Sequence, residues 1–125
     1  MALARYRPGV TQRDLTALRR LADEGNEDAA DRLSVLAVER GDVDELKHLV
    51  DAGNDSAAEL LAQLAADRED TETLNFLIDA GNETAADRLA QIVAQRGDLE
   101  ELCRLAEEGS EVAASLVRQI IRESE

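Results

Sequence analysis

Residues 81–89 read Gly81-Asn82-Glu83-Thr84-Ala85-Ala86-Asp87-Arg88-Leu89, and variants of this phrase return along the chain at a fixed interval. Gly25, Gly53, Gly81 and Gly109 stand 28 residues apart. Asn follows the first three (Asn26, Asn54, Asn82), and Ser110 follows the last. An alanine pair comes behind each, at 29–30, 57–58, 85–86 and 113–114. Leu18, Leu46, Leu74 and Leu102 keep the same register, as do Leu21, Leu49, Leu77 and Leu105. Asp14, Asp42, Asp70 and Asp98 supply a second landmark in each copy. Repetition at a period of this size marks architectures built by stacking one supersecondary unit.

With the aspartate as first residue, the units are 14–41, 42–69, 70–97 and 98–125, and residues 1–13 form an N-terminal leader or cap. Each unit encodes two helices. In the second, Asp42 N-caps a helix running to about Ala52, with Glu45 three residues on to complete a capping box. Gly53 takes the left-handed conformation that ends it, and Asn54 caps a second helix to about Arg68. Acids in the first turns (Glu27, Asp28, Asp55, Glu83) complement the helix dipole. Such short loops make consecutive helices antiparallel.

The apolar spacing agrees. Leu46, Leu49 and Val50 follow a period of about 3.6 residues, as do Leu74, Leu77 and Ile78. In the second helices, Ala57, Leu61, Leu64 and Ala65 form one stripe, matched by Ala85, Leu89, Ile92 and Val93. A lone hairpin cannot bury such a stripe, so the units must stack. The expected fold is all-α, a short α-solenoid of four stacked helical hairpins.

Composition supports this and narrows the function. Aromatics are 2% of the chain, Trp is absent and there is a single Pro, which suits close helix packing and not sheets. Twenty-eight acids against 14 bases give a net charge of −14. That surface repels nucleic acid and anionic lipid, so neither is expected as a partner. It admits a basic protein or peptide, although acids on exposed faces also serve solubility alone. No apolar run approaches the roughly 20 residues of a membrane span, and the N-terminus is too short and polar for a signal peptide. Cys103, the only cysteine, cannot form an internal disulfide. A cytoplasmic location is expected.

The hairpin period, the alanine pairs and the Gly-Asn and Gly-Asp turns make residues 14–125 resemble the α-solenoid class of tetratricopeptide and HEAT repeats. The resemblance is one of architecture. The tetratricopeptide unit has about 34 residues with Trp and Pro landmarks, and HEAT units are longer. The resemblance implies a non-enzymatic module that binds a protein or peptide. The likeness of the units to one another also fits an engineered scaffold, whereas His48, Phe76 and Cys103 are irregularities of the kind natural drift leaves.

No catalytic, cofactor or metal site is expected. Glu45-Leu46-Lys47-His48 has the Glu-x-x-His spacing of di-iron bundles, but those need a second copy and further glutamates, and His48 is the only histidine. Arg40-Gly41-Asp42 and Arg96-Gly97-Asp98 spell an integrin-type tripeptide, yet the turn explains all three letters. Cys103, at the register of Arg19, Lys47 and Asn75, reads as a partly exposed free thiol.

Positions where the repeats disagree are more telling. Arg20, His48, Phe76 and Arg104 share one register, which a count of 100° per residue places opposite the core stripe, so Phe76 is expected on the surface. The expected partner-binding face is therefore that of the first helices, around Arg19, Arg20, Lys47, Asn75, Phe76 and Arg104. Val35 and Val38 replace Gln63 and Ala66, so the leader (Leu3, Tyr6, Val10) is expected to fold onto them, or a second copy to pair there. The other functional reading is a structural repeat that self-associates. A monomer or weak homodimer is expected, because Ser115, Arg118, Gln119 and Arg122 are polar positions that oppose open stacking at the last helix.

Overall fold

A computed structural model describes residues 11–124. Among them are eight helices: α1 (Gln12–Asp23), α2 (Glu27–Arg40), α3 (Val43–Asp51), α4 (Asp55–Asp67), α5 (Thr71–Asp79), α6 (Glu83–Gln95), α7 (Leu99–Glu107) and α8 (Glu111–Glu123). They form four stacked hairpins. Each first helix (α1, α3, α5, α7) lies against the second helix of its own hairpin. The second helices (α2, α4, α6, α8) pack on one another in a row and also receive the next first helix, so α4 touches α2, α3, α5 and α6. Among the described residues, no two first helices meet backbone to backbone.

The caps set these boundaries. Asp42, Asp70 and Asp98 each accept the backbone N–H three residues on. Asn26, Asn54, Asn82 and Ser110 do the same for the second helices. Each cap also closes the preceding helix: the Asn54 N–H donates to the Leu49 carbonyl at 3.0 Å while the Gly53 N–H donates to Val50 at 2.9 Å. One residue thus ends one helix and starts the next, which is why the connections stay so short.

Two expectations are corrected here. In the first unit the cap is Thr11, and Asp14 occupies the third helical position, where its carboxylate accepts the Thr11 N–H at 3.0 Å. Helix α1 therefore begins one turn earlier than α3, α5 and α7. Glu45 completes no capping box, because its carboxylate turns across to Arg19 of α1 at 2.7 Å. A charged partner outcompetes a backbone N–H that water can satisfy.

Gly53 and Gly81 adopt φ of 92° and 91°, as ending the helix requires. Glu69 holds the same kind of position at φ 52°, the only non-glycine with positive φ among the described residues. A Cβ there costs about 1 kcal/mol. Glu69 recovers part of this by accepting from Arg96 at 3.2 Å across an exposed surface. Glu69→Gly should therefore raise the unfolding free energy by up to about 1 kcal/mol, read as a higher urea midpoint with unchanged slope.

The core runs through the stack without a break. Leu46, Leu74 and Leu102 are fully buried, and so are Leu61 and Leu89 of the facing helices. The first alanine of each pair (Ala29, Ala57, Ala85, Ala113) is buried, and its small side chain lets the helices come close. Ser34, Thr73 and Ser110 are the buried polar side chains among the described residues, and none of their buried atoms lacks a partner.

Thr73 links the core to pH. Its hydroxyl and its backbone N–H donate to the Asp70 carboxylate at 2.7 and 3.1 Å. These bonds hold the Asp70 carboxyl below the usual aspartate range, the hydroxyl contributing most. A carboxyl more acidic folded than unfolded stabilises the fold above about pH 4, and that stabilisation disappears as pH falls through the lowered folded value. Asp70→Asn, which keeps a capping oxygen, should flatten the loss of stability between pH 5 and acid in urea titrations. An unchanged pH slope would dismiss the linkage.

Candidate interaction surfaces

Of the six residues expected to form a partner-binding face, Arg19, Lys47 and Phe76 make contacts between neighbouring first helices. Side chains bridge the gaps between the α1, α3 and α5 backbones. Arg19 of α1 reaches Glu45 of α3 at 2.7 Å. Asp23 of α1 lies 3.8 Å from the His48 ring of α3. The Lys47 ammonium of α3 stands 5.3 Å from the centroid of the Phe76 ring of α5. Arg104 of α7 is held within its own helix by Glu101 and Glu108, and these bonds push its guanidinium above the ordinary arginine value. Arg20 and Asn75 are exposed.

Phe76 differs from expectation. The wheel places it opposite the core stripe, but it is half-buried and packs against the core, with Lys47 over its face. The reason is the spacing of the first helices. A flat ring at this register fills the gap toward the preceding helix instead of projecting into solvent. Such a cation–π contact contributes about 0.5–1 kcal/mol.

The other sequence candidates fall into place. Cys103 is a half-buried free thiol. In Arg40-Gly41-Asp42 the glycine takes φ 67°, Asp42 caps α3, and Arg40 pairs with Asp42 at 3.3 Å, so the tripeptide is locked in its turn. Among the described residues no group of three or more His, Cys, Asp or Glu side chains is placed to hold a metal ion. No helix among them is long and apolar enough to cross a membrane.

Sequence reading passed over a second feature, on the edge formed by the Gly-Asn turns. Adjacent hairpin tips enclose a cleft there. Between the first and second hairpins it has a volume of about 350 Å³, and its walls carry Asp23, Glu27, Asp31 and Asp55. Between the third and fourth it has about 470 Å³, with Glu83, Asp87, Glu108 and Glu111. Neither cleft is lined by Lys or Arg. Bonds between hairpins run along this edge: the Asn54 amide donates to Asp31 of the first cleft at 3.1 Å, and, between the second and third hairpins, the Asn82 amide donates to Glu59 at 3.3 Å. Asn54 and Asn82 therefore each cap their own helix and tie it to the second helix of the hairpin before. The available signal was the acid at 31, 59 and 87, which recurs with the period, but Asp31 and Glu59 lie 23 residues before the asparagines they meet.

No family model matches the chain, and no curated protein or solved structure matches it either.

Proposed function

We propose that the chain is a non-catalytic helical-repeat module, solenoid-like in the manner of tetratricopeptide and HEAT repeats, that binds a protein or peptide segment rich in Lys and Arg in the cytoplasm. The observation that carries this is the pair of clefts between hairpin tips, each lined by acids and by neither Lys nor Arg. Long basic side chains laid into such clefts would place their charges against carboxylates while their stems cover the turn backbone. The net charge of −14 would speed the encounter. An engineered scaffold built on the same stack would carry these clefts without a natural ligand.

Titrating a Lys-rich peptide, followed by calorimetry at low and high salt, tests the reading. Saturable binding that weakens with salt is expected. Asp31→Lys combined with Asp87→Lys should abolish it, while Phe76→Ala leaves it unchanged. Equal binding by the charge-reversed chain would remove the clefts as the site. Loss on Phe76→Ala would move it to the first-helix face around Arg19, Arg20, Lys47, Asn75, Phe76 and Arg104.

Self-association has an observation of its own. In the first hairpin, Leu21 and Val35 are 40% and 43% exposed. Light scattering across a concentration series decides: a monomer at every concentration removes that reading.

A further inference from the structure

The leader residues Leu3, Tyr6 and Val10, expected over Val35 and Val38, lie outside the described residues, and Val38 itself packs on the core. The other end of the stack is described through Ser124, and it carries an uncovered face. In α2, α4 and α6, each followed by a further hairpin, Ala37, Ala65 and Val93 share one register and are buried. Their counterpart on α8 is Ile121, which is 54% exposed. At a second register Leu33, Leu61 and Leu89 are buried, whereas Val117 of α8 is half-buried. The side chain at the first register is thus largest where no hairpin covers it among the described residues.

Helical geometry identifies the missing neighbour. Helices α2, α4 and α6 each receive both the first and the second helix of the next hairpin. The register of Ser34, Ala62 and Ala90 meets the next second helix, and on α8 it holds the exposed Arg118. Ala113 is buried on the side that α8 turns to α6 and α7. At about 100° per residue, Ile121 falls between these two, about 80° from Ala113 and about 60° from Arg118, in the sector of the next first helix. Helix α8 therefore keeps the apolar seat of a first helix, and an arginine stands where a second helix would come. Arg122 is exposed one turn further on, and neither arginine forms an ion pair among the described residues. An apolar centre bordered by arginines has the composition of a protein interface.

We propose that this face of α8 binds an acidic amphipathic helix of a partner protein, with leucines three residues apart against Val117 and Ile121 and carboxylates against Arg118 and Arg122. The first helices of this chain show the chemistry that fits. Leu46 with Leu49, Leu74 with Leu77 and Leu102 with Leu105 are buried, in helices where acids outnumber Lys and Arg. A second copy is the poorer occupant. Two α8 faces paired about a two-fold axis set Arg118 near its own image, and like charges across an interface repel. Head-to-tail pairing offers α1, which carries three arginines against two aspartates.

The probe is a synthetic peptide of residues 98–109 of this chain carrying Cys103→Ser. It is titrated to about millimolar concentration into the isotope-labelled full chain, and binding is read from amide NMR shifts. Saturable shifts centred on Val117 and Ile121 are expected. Ile121→Ser, which changes a side chain already at the surface, should weaken binding severalfold. Arg118→Glu combined with Arg122→Glu should weaken it about tenfold or more. A peptide with Glu100→Lys, Glu101→Lys and Glu107→Lys should bind that charge-reversed chain and not the native one. Asp31→Lys with Asp87→Lys should leave the shifts in place, since the clefts between hairpin tips are a separate site. No saturable shift overturns the proposal, and so does equal binding of the two peptides to the native chain. Shifts centred on Leu89 and Val93 overturn it as well, because the peptide then displaces α7. A dimer mass that rises with concentration in light scattering assigns the face to a second copy instead.

Discussion

Leu77→Ala is expected to lower the unfolding free energy by about 2–5 kcal/mol. Leu77 is 0% exposed in α5, between α4 and α6. Its truncation removes buried methyl groups, worth roughly 1.5–3 kcal/mol as transfer, and leaves a cavity that two helices held by tight caps can only partly close. The control is Leu99→Ala. Leu99, at the first position of α7, is 44% exposed, and the same replacement there should stay within about 0.5 kcal/mol of neutral. Urea titration of both variants reads the difference as a fall in midpoint at constant slope. Equal effects at the two sites would mean that burial in the stack does not set stability.

A larger loss should follow Ala62→Arg or Ala90→Arg. The second helices carry Ser34, Ala62, Ala90 and Arg118 at one register, and the first three are 0% exposed, whereas Arg118 is exposed on α8. Ser34 faces the following hairpin through its contact with Asn54, so this register is where one second helix meets the next. An arginine placed there inside the stack buries a charge with no partner and overfills a contact designed for a methyl group. The two effects together amount to about 4–8 kcal/mol, comparable to the whole stability of a small domain. Loss of the cooperative thermal transition in circular dichroism is the readout. Arg118→Ala, by contrast, should be nearly silent for folding. It would remove a charge from the exposed face of α8, so, if that charge opposes end-to-end stacking, a gain in association by light scattering is expected in that variant.

How much of this could be read from the residues depended on whether a signal was local. The turns were legible because Gly53 and Asn54 act on backbone atoms within a few residues, and the cap positions at Asp42, Asp70 and Asp98 followed. The buried leucines were legible because spacing alone fixes which side of a helix they share. Glu69 shares its register with Gly41 and Gly97, which marks it as a strained position. What escaped reading was decided across the stack. Glu45 chose Arg19, 26 residues away, over its own helix start. Phe76 is half-buried because neighbouring first helices stand apart, a distance no helical wheel contains. Leu21 matches Leu49 in register but has no preceding second helix over it among the described residues. The acidic clefts needed the pairing of Asn54 with Asp31, which joins two hairpins. Contacts within the expected binding face escaped for the same reason: Arg19 and Lys47 look free in a single unit and become bridges once units stack.

Four hairpins that bury their apolar stripes against their neighbours form an open series, and an open series accepts another member. A chain carrying a second copy of residues 42–69, inserted between Glu69 and Asp70, should therefore fold with the same helicity per residue. Its thermal midpoint should rise, because the added hairpin buries both of its sides and brings one more interface. A fall in midpoint, or loss of helicity per residue, would show that the eight helices close on one another as a single bundle with no room for a fifth pair.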